Sequence, residues 1–249
     1  MQLRTFTALA AGAIIPLVSG AATTTFPTAA GATTLSAPMS VTGTYDGGMK
    51  RFGRGLSPCS EADGGSTGAV FILESGATLK NAIIGSDQYE GVHCNGPCTI
   101  QNVWWEDVCE DALTILQSSG TSYVTGGGAK GASDKVIQMN GKGTVVVKDF
   151  FVSDFGKLWR SCGNCSGNGG PRKLIVDGVV ATGGTVIGGA NSNYGDTVTI
   201  SNTCGAAPAK MCQVYEGCDK AQGDCESEKL STGFDGVTCI DGGGNKATC

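Results

Sequence analysis

Polar and apolar residues alternate along this chain in short bursts. Five segments combine β-branched and aliphatic residues with a turn residue close by: TLKNAIIG, TIQNVWWEDV, TVVVKDFFVSDFG, KLIVDGVVATGG and TVTISNTC. None sustains the 3.6-residue period of an amphipathic helix, so each is predicted to be a strand. An Asn or Asp recurs inside them at Asn81, Asn102, Asp149, Asp177 and Asn202. The successive gaps are 21, 47, 28 and 25 residues, and the 47 halves if the stretch around Thr125 supplies one more turn. A period in the low to mid twenties, with one strand-rich coil per repeat, predicts a right-handed parallel β-helix, an all-β solenoid. A β-sandwich is the competing fold, but its strands recur every about 8–12 residues, roughly half the spacing seen here. In a stacked solenoid the Val, Ile and Leu of successive coils fill one continuous core, and Asn at equivalent turns can form a side-chain ladder.

Composition sets the context. The chain has 249 residues, enough for one β-helical unit, and its 41 glycines suit tight turns. The opening MQLRTFTALAAGAIIPLVSGAATTT places one Arg before an apolar run and small residues after it, which is the grammar of a signal peptide over residues 1–21. Residues 22–40 read as an extended lead-in, residues 41–205 as the solenoid, and residues 206–249 as a cysteine-rich cap or tail. Twelve cysteines, an even number, point to disulfides and an extracellular location. Cys162 and Cys165 have the spacing of half a zinc site, but no second pair exists and His93 is the only histidine. A net charge of −5 argues against a nucleic-acid partner, and no segment after the signal reads as membrane-spanning. The chain is expected to act as a monomer.

The candidate chemistry is concentrated in EGVHCNGPCTIQNVWWEDVCEDALTI. Glu90, Glu106, Asp107, Glu110 and Asp111 fall within about one repeat, so stacking brings Glu90 close to Glu110 or Asp111. Converging carboxylates repel unless a cation or proton intervenes, and oxygen ligands without a histidine cluster favour Ca²⁺. Glu106 and Asp107 read equally well as solvated turn acids. Glu110 and Asp111 are adjacent and share a site only if the chain bends there. His93 reads as a buried, hydrogen-bonded strand residue. The cations Lys130, Lys135, Lys157 and Arg160 follow, with Lys157 22 residues after Lys135, a step that stacks them on one face.

The pieces EGVHC, WEDVCEDA, DKV and GKLWR occur in order and with consistent spacing over roughly residues 40–205. Together they resemble the secreted pectate lyases of polysaccharide lyase family 3. That resemblance implies a parallel β-helix that cleaves de-esterified pectin, a polygalacturonate, with Ca²⁺. It implies Glu90, Glu110 and Asp111 as calcium ligands, and Lys135, Lys157 and Arg160 as the catalytic and substrate-binding cluster. Lys130 is assigned to substrate binding. A proton-abstracting base must be unprotonated, a state lysine reaches more readily than arginine, so Lys135 is the first choice for that role. Two other functions stay open on sequence alone: a polygalacturonan hydrolase using two acids, Glu106 and Asp107 being the candidates, and water, which leaves the basic cluster unexplained, and a secreted pectin-binding protein without turnover.

Overall fold

The computed structural model describes residues 22–56, Cys59 and residues 65–249; the signal-like segment 1–21 lies outside them. The long strands alternate between two sheets, so each coil gives one to each, and the short strands Phe151–Ser153 and Val180–Thr182 extend the first sheet around a corner. The first sheet stacks Thr78–Ile84, Thr99–Trp105, Thr121–Lys130, Gly143–Lys148, Arg172–Asp177, Thr197–Ser201 and Cys239–Gly243. The second stacks Glu90–Cys94, Asp111–Ile115, Lys135–Met139, Lys157–Ser161, Val186–Asn191 and Cys212–Glu216. Neighbours in both are parallel; among the described strands only Glu228–Thr232 pairs antiparallel, against Cys212–Glu216. That topology is a parallel β-helix and excludes the sandwich.

Register partners on the first sheet explain the core. Leu79, Ile100, Val124, Val147, Val176 and Ile200 stack in one column. All are buried. Val92, Leu113, Ile137 and Trp159 stack opposite them from the second sheet. Each inward position is covered by its counterparts above and below, which one coil alone cannot achieve.

The turn column bends the first sheet. Asn81, Asn102, Asp149 and Asn202 have φ of 51°, 52°, 51° and 48°, the left-handed region that Asn and Asp tolerate better than other side chains. Beyond this corner the chain forms a short third face, where Ile84, Trp105, Ala129, Val152 and Ala181 pair in register. The missing turn near Thr125 is filled by Gly126, at φ 64°. Asp177 is not the corner residue: it ends its strand opposite Ser201, and Gly178, at φ 76°, takes the corner because glycine adopts that conformation at less cost. The ladder exists in part. Asn102 Nδ2 donates to Asn81 Oδ1 at 2.9 Å, Asn81 Nδ2 to Asp46 Oδ1 at 3.1 Å, and Asn202 Nδ2 to Asp177 Oδ1 at 2.8 Å.

Both ends differ from the sequence expectation. The lead-in already belongs to the sheets: Ala32–Thr34 pairs with Arg51–Gly53, and Met39–Val41 with Phe71–Leu73. Phe26 packs edge-on against Trp104, with ring centroids 4.9 Å apart. The C-terminal segment contributes the rungs Cys212–Glu216 and Cys239–Gly243, joined through the core by the buried Cys212–Cys239 disulfide. Cysteine sulfur fills the interior there, where other coils place aliphatic carbon, so a search for aliphatic runs misses these strands.

Candidate active site

The second sheet presents two outward columns of chemically active residues. Glu90 and Asp111 stand at the same place on neighbouring rungs, each two residues before the paired Val92 and Leu113. Asp111 pairs with Lys135, and Lys135 with Lys157. One column therefore reads acid, acid, lysine, lysine over four coils. The adjoining column runs His93, Thr114, Gln138, Arg160 and Gly189. Two adjoining pockets, which share lining residues, form a groove beside them. Glu90, Glu110 and Asp111 line one half, Lys157 and Arg160 the other, and Lys135 and Gln138 lie in both. Glu110 sits in the bend just before Asp111–Ile115, so the adjacent acids do share one site.

The acid half is under electrostatic stress. Glu90 and Asp111 are 3% and 5% exposed, too buried for solvent to screen their repulsion. Burial pushes the Asp111 carboxyl up to about 8; Lys135 pulls it back, while Glu90, Glu110 and Asp134 push it further. Asp111 Oδ1 is buried without a hydrogen-bond partner, and Lys135 Nζ stands 3.8 Å away, beyond hydrogen-bond reach. Glu90 Oε2 lies 3.3 Å from His93 Nε2. Hard oxygen donors around an orphaned, destabilised carboxylate fit a divalent cation such as Ca²⁺. Among the described residues no group of three or more His, Cys, Asp or Glu side chains stands close enough to hold a metal ion, so these acids are not a preassembled metal site.

The basic half is organised by Asp134, which sequence reasoning passes over although it opens the DKV piece. Its carboxylate contacts Lys135 Nζ closely and Lys157 Nζ at 3.1 Å. Burial works against the Lys135 cation, but Asp111, Asp134 and Glu110 outweigh it and hold the ammonium above its usual range. Arg160 is the opposite case. It is 7% exposed, and burial pushes its guanidinium down to about 10, only partly offset by Tyr215 and Asp196. The floor between the halves is polar and unsatisfied: His93 Nδ1, Thr114 Oγ1 and Gln138 Oε1 are buried without partners. These atoms make no hydrogen bond within the protein and are free to pair with water or with a polar ligand in the groove.

Three sequence candidates do not join the groove. Lys130 ends its strand on the third face, with its ammonium 4.5 Å from the centroid of the Phe26 ring. Glu106 pairs with Arg51 at 2.8 Å, and Arg51 also holds Asp87 at 2.7 Å. Asp107 is outside the groove lining too. The acids a hydrolase reading would draw on are therefore away from the cleft. Cys162 and Cys165 form a disulfide, not a metal site.

Known proteins match this arrangement. The pectate lyase family model matches residues 23–222. Probable pectate lyase E of Neosartorya fischeri is 54% identical over 208 residues, spanning 83% of this chain and 80% of its own length. Pectate lyase H of Emericella nidulans is 54% identical over 209 residues, spanning 83% and 79%. The catalytic domain of pectate lyase PelI from Erwinia chrysanthemi aligns with a TM-score of 0.73 at 37% identity, over 84% of this chain and 97% of that domain. PelI in complex with tetragalacturonic acid aligns with a TM-score of 0.71 at 36% identity, over 84% of this chain and 69% of that one. A family match over most of the sequence, with relatives more than half identical, leads to one conclusion: the chain belongs to the pectate lyase family.

Proposed function

We propose that this pectate lyase cleaves de-esterified (1→4)-α-D-galacturonan by β-elimination, with Ca²⁺ held at Glu90, Glu110 and Asp111. The observation that carries this reading is the single groove in which buried, mutually repelling carboxylates adjoin a lysine–lysine–arginine cluster. Bound among those acids, Ca²⁺ would neutralise a uronate carboxylate and stabilise the negative charge that develops on it. Lys135, in the fraction that has lost its own proton, takes the proton from C5. The electron pair left there delocalises into the uronate carboxylate and then expels the glycosidic oxygen at C4, which takes a proton from solvent as it leaves. The product is a 4,5-unsaturated oligogalacturonide, and no water is added. Lys157 and Arg160 hold the substrate carboxylates, and the unsatisfied floor formed by His93, Thr114 and Gln138 takes sugar hydroxyls. Arg160 suits a clamp because its charge is buried and, among the described residues, is not paired with a carboxylate.

The protein acts outside the cell as a monomer. Its 12 cysteines form six disulfides, which supports an oxidising compartment. Among the described residues no helix is long and apolar enough to cross a membrane. The deciding experiment is incubation with polygalacturonate, with and without Ca²⁺, while following absorbance at about 235 nm, the signature of the conjugated product of proton abstraction. Calcium-dependent absorbance is the expected result. Reducing ends without absorbance would make the protein a hydrolase, and retention of substrate without either would make it a binding protein.

A further inference from the structure

The C-terminal segment reaches back into the groove. Cys212–Glu216 adds a rung beside Val186–Asn191, and the loop closed by Cys218–Cys225 docks on the loop after Arg160. Cys218 N–H donates to Gly163 O at 2.8 Å, and Asn168 Nδ2 donates to Cys218 O at 2.9 Å. The family match ends at residue 222, so Ser227, which lines the groove, lies beyond it.

This segment seats Arg160. The guanidinium carbon lies 3.8 Å from the centroid of the Tyr215 ring. Nη2 donates to Ser227 Oγ at 2.8 Å, while Nη1 donates to Asn191 Oδ1 at 2.9 Å. Two glycines make the seat possible. A Cβ at Gly189 would stand 2.9 Å from Arg160 Cδ and 3.1 Å from Tyr215 Cε2, and one at Gly163 would stand 2.9 Å from Arg160 Nη2 and 2.6 Å from Ser227 Cβ. The arginine therefore lies across the neighbouring rung, flat against an aromatic face. Its hydrogen-bond partners are neutral oxygens, which fix its direction without cancelling its charge.

We propose that Tyr215 and Ser227 are positioning residues: they hold the Arg160 guanidinium lengthwise in the groove, still charged, for a uronate carboxylate. The role rests on the substrate reading above and, through Ser227, extends it beyond the family match.

The test measures kcat/KM on polygalacturonate with Ca²⁺ and, separately, equilibrium affinity for tetragalacturonate. Tyr215→Leu is expected to lower kcat/KM about tenfold, chiefly through KM, whereas Tyr215→Phe, which keeps the ring face, stays near wild type. Ser227→Ala, a change at a partly exposed position that leaves the fold intact, is expected to cost about threefold. In an Arg160→Lys background both losses should shrink to nothing, because the residues act through the guanidinium. The proposal is overturned if Tyr215→Leu and Ser227→Ala keep wild-type kinetics and affinity, if Phe fares as badly as Leu, or if the losses simply add to that of Arg160→Lys. Wild-type protein that makes no unsaturated product would defeat the lyase chemistry instead, and tetragalacturonate affinity would still decide the seating of Arg160.

Discussion

Asp111 concentrates the electrostatics of the site in one carboxyl. Its pKa in the folded protein, about 8, lies above the ordinary value of 3.8, so the folded state keeps a proton that the unfolded chain has lost. The stability this group contributes is fully present below its unfolded pKa and is lost as pH rises toward its folded one. The melting temperature of chelator-treated enzyme should therefore fall between about pH 5 and pH 8. Added Ca²⁺ or the Asp111→Asn substitution should flatten that fall; an equally steep fall in the variant would contradict it. Lys135 is shifted upward as well. Its acidic neighbours raise its pKa, so activity should climb on the alkaline side. Lys135→Ala should reduce unsaturated-product formation at least about hundredfold, the low end for losing a general base. Much of this site is legible in the sequence alone, since Glu90, Asp111, Lys135 and Lys157 recur at about one repeat. Asp134 and Tyr215 are not, because each works through a partner that only the stacking reveals. Lys130 is misplaced by sequence for a related reason: nearness along the chain does not say which face of a coil a residue occupies.

Strands and corners are legible to different degrees. The aliphatic runs mark the strands because their inward residues must be apolar wherever coils stack. The corners are marked by Asn and Asp, which tolerate left-handed backbone, but Gly126 and Gly178 serve as well and are hard to pick out in a glycine-rich chain. Asn102 is the most connected corner: it donates to Asn81 at 2.9 Å and accepts from Trp104 Nε1 at 2.8 Å. Asn102→Val should cost at least about 1–2 kcal/mol in urea unfolding, since a β-branched residue resists that conformation. Asn102→Gly should cost less, losing the side-chain hydrogen bonds but not straining the backbone. Equal losses would mean that the ladder, and not the backbone, sets the preference.

Across the whole molecule, the repeat spacing identifies the solenoid, while its two ends carry no such mark. The first coil hides in a Thr/Ala-rich stretch with few large apolar residues, and the last is built around cystine. Cys212 and Cys239 link the two sheets inside that last coil. Replacing both with serine should destabilise the protein by about 2–4 kcal/mol and lower its thermal midpoint, the usual effect of losing a native cross-link. An unchanged midpoint would show that the terminal coil is held by its hydrogen bonds alone. The groove itself has a simple construction. Glu90, Asp111, Lys135 and Lys157 are each supplied by a different turn of the solenoid, one side chain per turn, about 4.8 Å apart along the axis. Duplicating a complete winding beyond the last of these residues would lengthen the trough by that increment and leave the reacting groups in step. Adding a single residue within one of these strands would turn the rest of that strand inside out, whereas the turns already absorb coils of unequal length, so the groove-lining strands keep their register while the loops between them vary.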